Sequence, residues 1–320
     1  MRKAREKVIG QGCYYHLMNR LAGYKDDHPF TDVDREYGMH LVARLANYYL
    51  LEFISMCWMG NHFHIVLYAP SEDELPDKRI IAERHNSYYY NRLDKIVAIN
   101  DEVTSAIIAD KMINISHFMK NFQQAFVVYY NRIHHRRGHL WADRFKSVIL
   151  DRIGALWAAV KYVELNPVRA QLVTDPADYR HSTWGWFCGS GKHPFEKSFF
   201  KHMRRCKQSL NNNCSIEELF NYFNGELVRT IAYELGERGE ELNKSIQKAK
   251  KGVSMPLRYL RRTRHWTDGG IIGSKKFVLN IAGKFAKDKE QLLKKQLSCG
   301  KSDTGDYLYC FKRLSSTTNG

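Results

Sequence analysis

The run Trp58-Met59-Gly60-Asn61-His62-Phe63-His64-Ile65-Val66-Leu67-Tyr68 constrains the fold more than any other. Gly60-Asn61 is a turn pair, and His62–Tyr68 alternates with the period of two that belongs to a strand, closed by Ala69-Pro70. Residues two apart on a strand point the same way. His62 and His64 therefore share one face, while Phe63, Ile65 and Leu67 line the other. Tyr49–Met59 reads as a strand leading into the turn, and Cys13–Leu21 as an earlier one.

Helical spacing occupies the stretches between. Tyr37, Leu41, Val42 and Leu45 mark a half-buried helix within Asp32–Tyr48. Residues 71–110 are polar and poorly periodic, and read as a long, partly helical excursion. Ile115, Phe118, Met119, Phe122, Phe126 and Tyr129 form the stripe of a strongly amphipathic helix that stops at His134-His135-Arg136-Arg137-Gly138. A further helix is expected from about Ala155 to Leu165, bounded by Pro167. After Trp186 the texture turns to Gly, Ser and Lys, then Asn211-Asn212-Asn213, which places a boundary near 185–214. Ser215-Ile216-Glu217-Glu218 is a capping-box pattern opening a mostly helical region to about residue 297, with an ill-ordered end at Ser315–Gly320.

At 320 residues the chain is long enough for two domains and a real core without disulfide staples. Its seven cysteines are scattered, with no C-x-x-C pair, which argues against a zinc knuckle and for a reducing compartment. The basic N-terminus is followed by no apolar segment, and no run is long enough to span a bilayer, so neither a secretory signal nor a membrane protein is expected. Against 34 Asp and Glu stand 50 Lys and Arg, a formal charge of +16. The excess is uneven: residues 1–110 carry a net −3, residues 111–180 +6 and residues 181–320 +13. A solvated Lys-rich surface would give such a number. Interleaving with aromatics, as in Arg258, Tyr259, Arg261, Arg262, Arg264, His265 and Trp266, favours nucleic acid, since cations neutralise phosphates and aromatic faces stack on bases.

Two imidazoles on a strand can form two corners of a metal site. The same pair also fits a purely structural role. Tyr162 and Asn166 in Lys161–Pro167 are four apart, hence one turn from each other on a helix, where a phenol could attack phosphorus and an amide oxygen could ligate a cation. Equally, Tyr162 is an ordinary edge residue and Asn166 a helix-end residue before proline. Tyr130 and His134 make a rival pair with the same spacing, although Tyr130 sits beside its helix's buried stripe. The run GWFCGSGK at 185–192 fails the phosphate-loop pattern, because Trp186 and His193 stand at required positions, so no nucleotide cofactor is expected. Asp143 beside Arg144 reads as an ion pair or turn element.

Three segments taken together, Asn61-His62-Phe63-His64, Leu140-Trp141-Ala142-Asp143-Arg144-Phe145-Lys146-Ser147 and Tyr162-Val163-Glu164-Leu165-Asn166-Pro167-Val168-Arg169, resemble in order and spacing the REP-associated tyrosine transposases. These are single-tyrosine HUH nucleases related to insertion-sequence transposases. The resemblance covers roughly residues 8–186. It implies an α+β fold: a ferredoxin-like domain over 1–186 whose antiparallel sheet carries the two histidines, followed by a linker at 187–214 and a mainly helical, basic C-terminal region at 215–320. It implies His62, His64 and Asn166 as ligands of a divalent metal (Mg²⁺ or Mn²⁺) and Tyr162 as nucleophile, which selects Tyr162 over Tyr130. Gly60 stands where the family usually has proline, a departure expected to alter turn stiffness more than chemistry. Trp266–Ser274 looks like a feature of longer members and receives no role.

The expected activity is nicking and strand transfer of single-stranded or hairpin DNA through a 5′-phosphotyrosine, in a cytoplasmic, nucleoid-associated protein that is a monomer or homodimer. Arg132, Arg136, Arg137, Arg144, Lys146 and Arg152 are candidates to track the backbone near the site. Arg258, Arg261, Arg262 and Arg264 lie in the 242–301 stretch, which holds sixteen basic and three acidic residues and could hold a stem or flanking strand. The alternatives are a catalytically silent nucleic-acid-binding protein on the same fold, and a phosphodiesterase that uses water in place of tyrosine.

Overall fold

The computed structural model describes residues 8, 10–23, 28–152, 154–206, 214–236, 266–267, 269–285, 298–301 and 307–312. Four strands come first: β1 (Cys13–Arg20), β2 (Glu52–Trp58), β3 (His62–Ala69) and β4 (Lys146–Leu150). Helix α1 (Asp32–Ala46) joins β1 to β2. Between β3 and β4 run α2 (Lys78–Tyr88), α3 (Glu102–Met112) and α4 (Ile115–Ile133). With α2 and α3 taken as an insertion, the connectivity is β-α-β-β-α-β, laid out in space as β2-β3-β1-β4 with every pair antiparallel. The α+β expectation holds.

Local chemistry sets these elements. Thr31 caps α1 through the Asp34 N–H, and Asp34 reaches back to the Thr31 backbone, a complete capping box. Asn114 caps α4 by accepting from the N–H groups of Ser116 and His117. The stripe of α4 is buried as its spacing predicts: Phe118, Phe122 and Phe126 are wholly enclosed, each contributing about 1.5–3 kcal/mol of burial. Gly38 on α1 is needed because a side chain there would collide with the Trp58 ring.

The sheet has a core on each side. One holds Tyr15, Leu17, Phe63, Ile65 and Leu67 with α1 and α4. The other holds Tyr14, Val66 and Val148 with α5 (Gly154–Glu164) and α9 (Ile216–Gly236). Helix α5 is apolar all round because it is enclosed all round; even Lys161 and Glu164 are buried. Lys161 donates to Glu226 and Thr230 of α9, and Glu164 accepts from the Ser55 hydroxyl at 2.6 Å and the Trp184 N–H at 3.0 Å. Burial pushes the Glu164 carboxyl up to about 7.

The region after residue 186 holds more regular structure than its sequence signals. The 187–214 segment is not a bare linker: α7 (Thr183–Ser190) crosses its start and α8 (Glu196–Met203) lies inside it, burying Phe199 and Met203 at helical spacing. Short α6 (Asn166–Arg169) precedes both. GWFCGSGK is the body of α7, closed by Gly191 in the left-handed conformation. Most described residues of the tail are helical, but strands stand among them. β5 (Gly269–Gly273), β6 (Ser298–Lys301) and β7 (Tyr307–Lys312) extend the sheet to seven strands, with α10 (Lys275–Phe285) packed against them. β5 lies parallel to β4, whereas β7 pairs antiparallel with both β5 and β6. Trp266–Ser274, given no role above, is where the tail enters the sheet. The expected disorder at 315–320 lies outside the described residues. No helix among the described residues is long and apolar enough to cross a membrane, and Cys13, Cys57, Cys188, Cys206, Cys214 and Cys310 are free thiols.

Candidate active site

Strand alternation puts His62 and His64 on the face opposite Phe63, as expected, with ring centroids 5.0 Å apart and planes at 89°. The turn before them is tight. A side chain at Gly60 would press on His28, and the Gly60 carbonyl accepts from the Phe30 N–H at 2.9 Å. Glycine here therefore answers a close approach as well as turn stiffness. Antiparallel pairing of β1 with β3 sets Arg20 opposite His62 and Met18 opposite His64. His16, two residues along β1, reaches His64 across the sheet.

Helix α5 brings Tyr162 over this face. Its ring lies 5.6 Å from that of His64 and 5.9 Å from that of His16, edge-on to both. The site is dry: Tyr162 is 2% exposed and His64 1%. Desolvation governs its chemistry, holding His16 down to about 4, His62 to about 3 and His64 well below the ordinary imidazole range. All three rings are thus neutral at pH 7. The Tyr162 phenol is pushed up to about 12 by the same burial, opposed by the guanidinium of Arg169, which lies 5.3 Å from the ring centroid.

Tyr162 and Asn166 do not share one unbroken helix. α5 ends at Glu164, and Asn166 opens α6 with Pro167 behind it. Proline carries no N–H and disfavours the helical conformation of its predecessor, so the chain resets there. Asn166 stays buried, and its Nδ2 has no hydrogen-bond partner among the described residues. An unpartnered amide atom costs about 1–3 kcal/mol, which an oxygen-for-nitrogen flip and a cation would recover. Asn61 Oδ1 lies 2.7 Å from His62 Nδ1, and His16 Nε2 lies 2.9 Å from His64 Nδ1. Among the described residues, the Nε2 atoms of both motif histidines thus remain for a ligand. Two imidazoles and an amide fit a divalent cation, but as a neutral set. No group of three or more His, Cys, Asp or Glu side chains able to hold a metal exists among the described residues.

The rival pair sits elsewhere. Tyr130 belongs to the core under the other face, and His134 is held by the Asp34 carboxylate at 2.9 and 3.0 Å. Arg132, Arg136, Arg137, Arg144, Lys146 and Arg152 are all exposed, on the end of α4 and flanking β4. Arg258, Arg261, Arg262 and Arg264 lie outside the described residues.

Four participants were given no place in the site by the sequence: His16, Arg20, Arg169 and Trp266. Trp266 arrives from the tail, stacks on Tyr162 with centroids 5.6 Å apart at 22°, and accepts from His16 through its carbonyl at 3.0 Å. His16 was legible in principle, as it alternates with Tyr14 and Met18 on a strand already recognised. The others depend on long-range register.

No protein-family model matches this chain, and no curated protein matches it. Among solved structures it is similar to a REP-associated tyrosine transposase bound to a REP hairpin, with 14% identity and a TM-score of 0.39, covering 61% of this chain and 90% of that one. So loose an overlay carries no argument about activity.

Proposed function

We propose that this chain is a metal-dependent single-strand DNA nuclease and strand transferase, with Tyr162 as nucleophile and hairpin-bearing single strands as substrate. The observation that carries the reading is the convergence of His62, His64 and Tyr162, from stretches a hundred residues apart, on one face of a sheet. The β-α-β-β-α-β order supports it, being the ferredoxin-like connectivity that the three motifs imply. His62, His64 and Asn166 would hold the cation. Bound there, Mn²⁺ or Mg²⁺ would supply Lewis-acid polarisation of the scissile phosphate. Because the donor set is neutral, the substrate phosphate itself would be the anionic ligand, and nitrogen donors favour Mn²⁺.

The Tyr162 oxygen, having lost its proton, bonds to phosphorus, and the P–O3′ bond breaks. The departing oxygen takes a proton and becomes a 3′-hydroxyl, while the phosphate stays esterified to Tyr162 on the 5′ side. Attack by another 3′-hydroxyl reverses the step and joins strands without ATP. A phenol held at about 12 is a poor nucleophile until its proton is taken, and the Trp266 ring packs against it. The Arg169 guanidinium favours the phenolate. The exposed arginines of the α4 end and β4 would follow the phosphate backbone, with Arg258, Arg261, Arg262 and Arg264 adding contacts.

The burial of Tyr162 favours one other reading, a binding protein that does not cut. Incubation of a labelled hairpin-bearing strand with Mn²⁺ separates the two. We expect a covalent adduct on a denaturing gel, lost on chelation and in Tyr162→Phe, with binding retained. Cleavage persisting in Tyr162→Phe would mean that water is the nucleophile. No cleavage by the wild-type chain under any metal would leave the binding protein.

A further inference from the structure

We propose that His16 is a positioning residue that fixes the tautomer of His64, so that His64 presents its Nε2 lone pair to the cation. The inference rests on the metal-site reading above and adds a residue from outside the three motifs.

The logic is one of donors and acceptors. A backbone carbonyl can only accept, so the 3.0 Å contact between the Trp266 oxygen and His16 Nδ1 places the His16 proton on Nδ1. A neutral imidazole carries one N–H, and the His16 ring is wholly enclosed, where an unpaired charge is strongly disfavoured. Its Nε2 is therefore an acceptor. The atom facing it, 2.9 Å away, is His64 Nδ1, which must donate. A neutral His64 with its proton on Nδ1 has its lone pair on Nε2.

The relay runs from the Trp266 carbonyl through His16 to His64, every member buried. The two ring planes also lie within 22° of each other, with centroids 5.0 Å apart, so the contact sets the His64 plane as well as its proton. His62 receives the equivalent service from Asn61, whose Oδ1 accepts at 2.7 Å from Nδ1. Each motif histidine thus has its own orienting partner, one local and one 48 residues away in sequence. Outer partners of this kind typically change metal affinity about 10–100-fold when removed.

The sheet explains why residue 16 does this. Met18 pairs with His64 in the antiparallel register, and His16 pairs with Val66. The two imidazoles are therefore diagonal neighbours on one face, a separation that long side chains span. Nothing in either motif signals the contact.

Two measurements on the full chain test it. In the metal-free wild type, long-range ¹H–¹⁵N correlation of the imidazoles should show His64 protonated on Nδ1 and bare on Nε2. A His64 protonated on Nε2 overturns the proposal without any variant. Calorimetric titration with Mn²⁺ should then show affinity at least 10-fold weaker in His16→Phe, which keeps bulk and loses the acceptor. His16→Gln, whose amide oxygen can accept and whose amide N–H can donate, should recover most of it. Equal affinity in wild type and His16→Phe overturns the proposal while leaving the metal site intact, provided His64→Ala abolishes binding. Wild-type chain that takes up no Mn²⁺, or binds it unchanged in His64→Ala, overturns the metal-site reading and this inference with it.

Discussion

Tyr130 and His134 stand four residues apart at the end of α4; Tyr162 and His64 meet from α5 and β3. In the first pair the rings stack at 4.1 Å, the histidine is held by both oxygens of Asp34, and the Tyr130 hydroxyl donates to the Pro29 carbonyl at 3.4 Å. These contacts tie the end of α4 to α1 and the residues before it. In the second pair, among the described residues, His64 bonds through Nδ1 to another imidazole and His62 through Nδ1 to an amide oxygen, while Asn166 has an unpartnered amide atom. What separates the two pairs is what the imidazole faces, a carboxylate for His134 and a second imidazole for His64.

Phenol deletions should separate the pairs most. Tyr162→Phe is expected to lower cleavage by roughly a thousandfold or more, the scale of losing a nucleophile, whereas Tyr130→Phe stays within about threefold on the same gel assay. Imidazole deletions follow. His64→Ala should cost about 100-fold in cleavage with modest loss of stability. His134→Ala should leave cleavage near wild type and lower unfolding free energy by about 1–3 kcal/mol in urea titration, because buried Asp34 loses one of its partners. Equal effects from the two imidazoles would erase the distinction.

Acidity offers a third test. His16 and His62 have folded pKa values below the ordinary 6.5, at about 4 and 3, and His64 lies low as well. The unfolded chain therefore takes up protons first as pH falls. Stability from these rings is full above about pH 6.5 and drains toward pH 4 to 3, by on the order of 3 kcal/mol for a ring so shifted. Glu164 acts in the other sense: raised from 4.5 to about 7, it costs stability as pH rises through that window, and Glu164→Gln should flatten that limb. Chemical denaturation across pH 3–8 reads both. The smallest effect is expected at the surface, where Arg136→Ala or Arg144→Ala should each reduce the log–log salt slope of hairpin binding by about 0.7–0.9.

Much of this was legible beforehand, for identifiable reasons. His62–Tyr68 and the α4 stripe have periods that only one structure satisfies, so strand, helix and the shared face of the two histidines followed directly. β5 was not legible, because Ile271-Ile272 between glycines is too short to show a period. Nor was the break at Asn166 resolved, since Pro167 forbids continuation without saying where the chain resumes. The site's outer members depend on register: His16 reaches His64 only through the pairing of β1 with β3, and Trp266 reaches His16 across 250 residues.

The parallel seam between β4 and β5 has a practical corollary. It spans only Ile149–Leu150 against Ile271–Ile272, extended by the Asp151 N–H to the Ile272 carbonyl at 2.8 Å. A version of the chain cut after residue 186 would strip that margin and leave β4 as a raw rim, ready to zip onto any passing ribbon. Such a fragment should clump rather than report on isolated activity, so dissection of this molecule is better done by point replacement than by trimming.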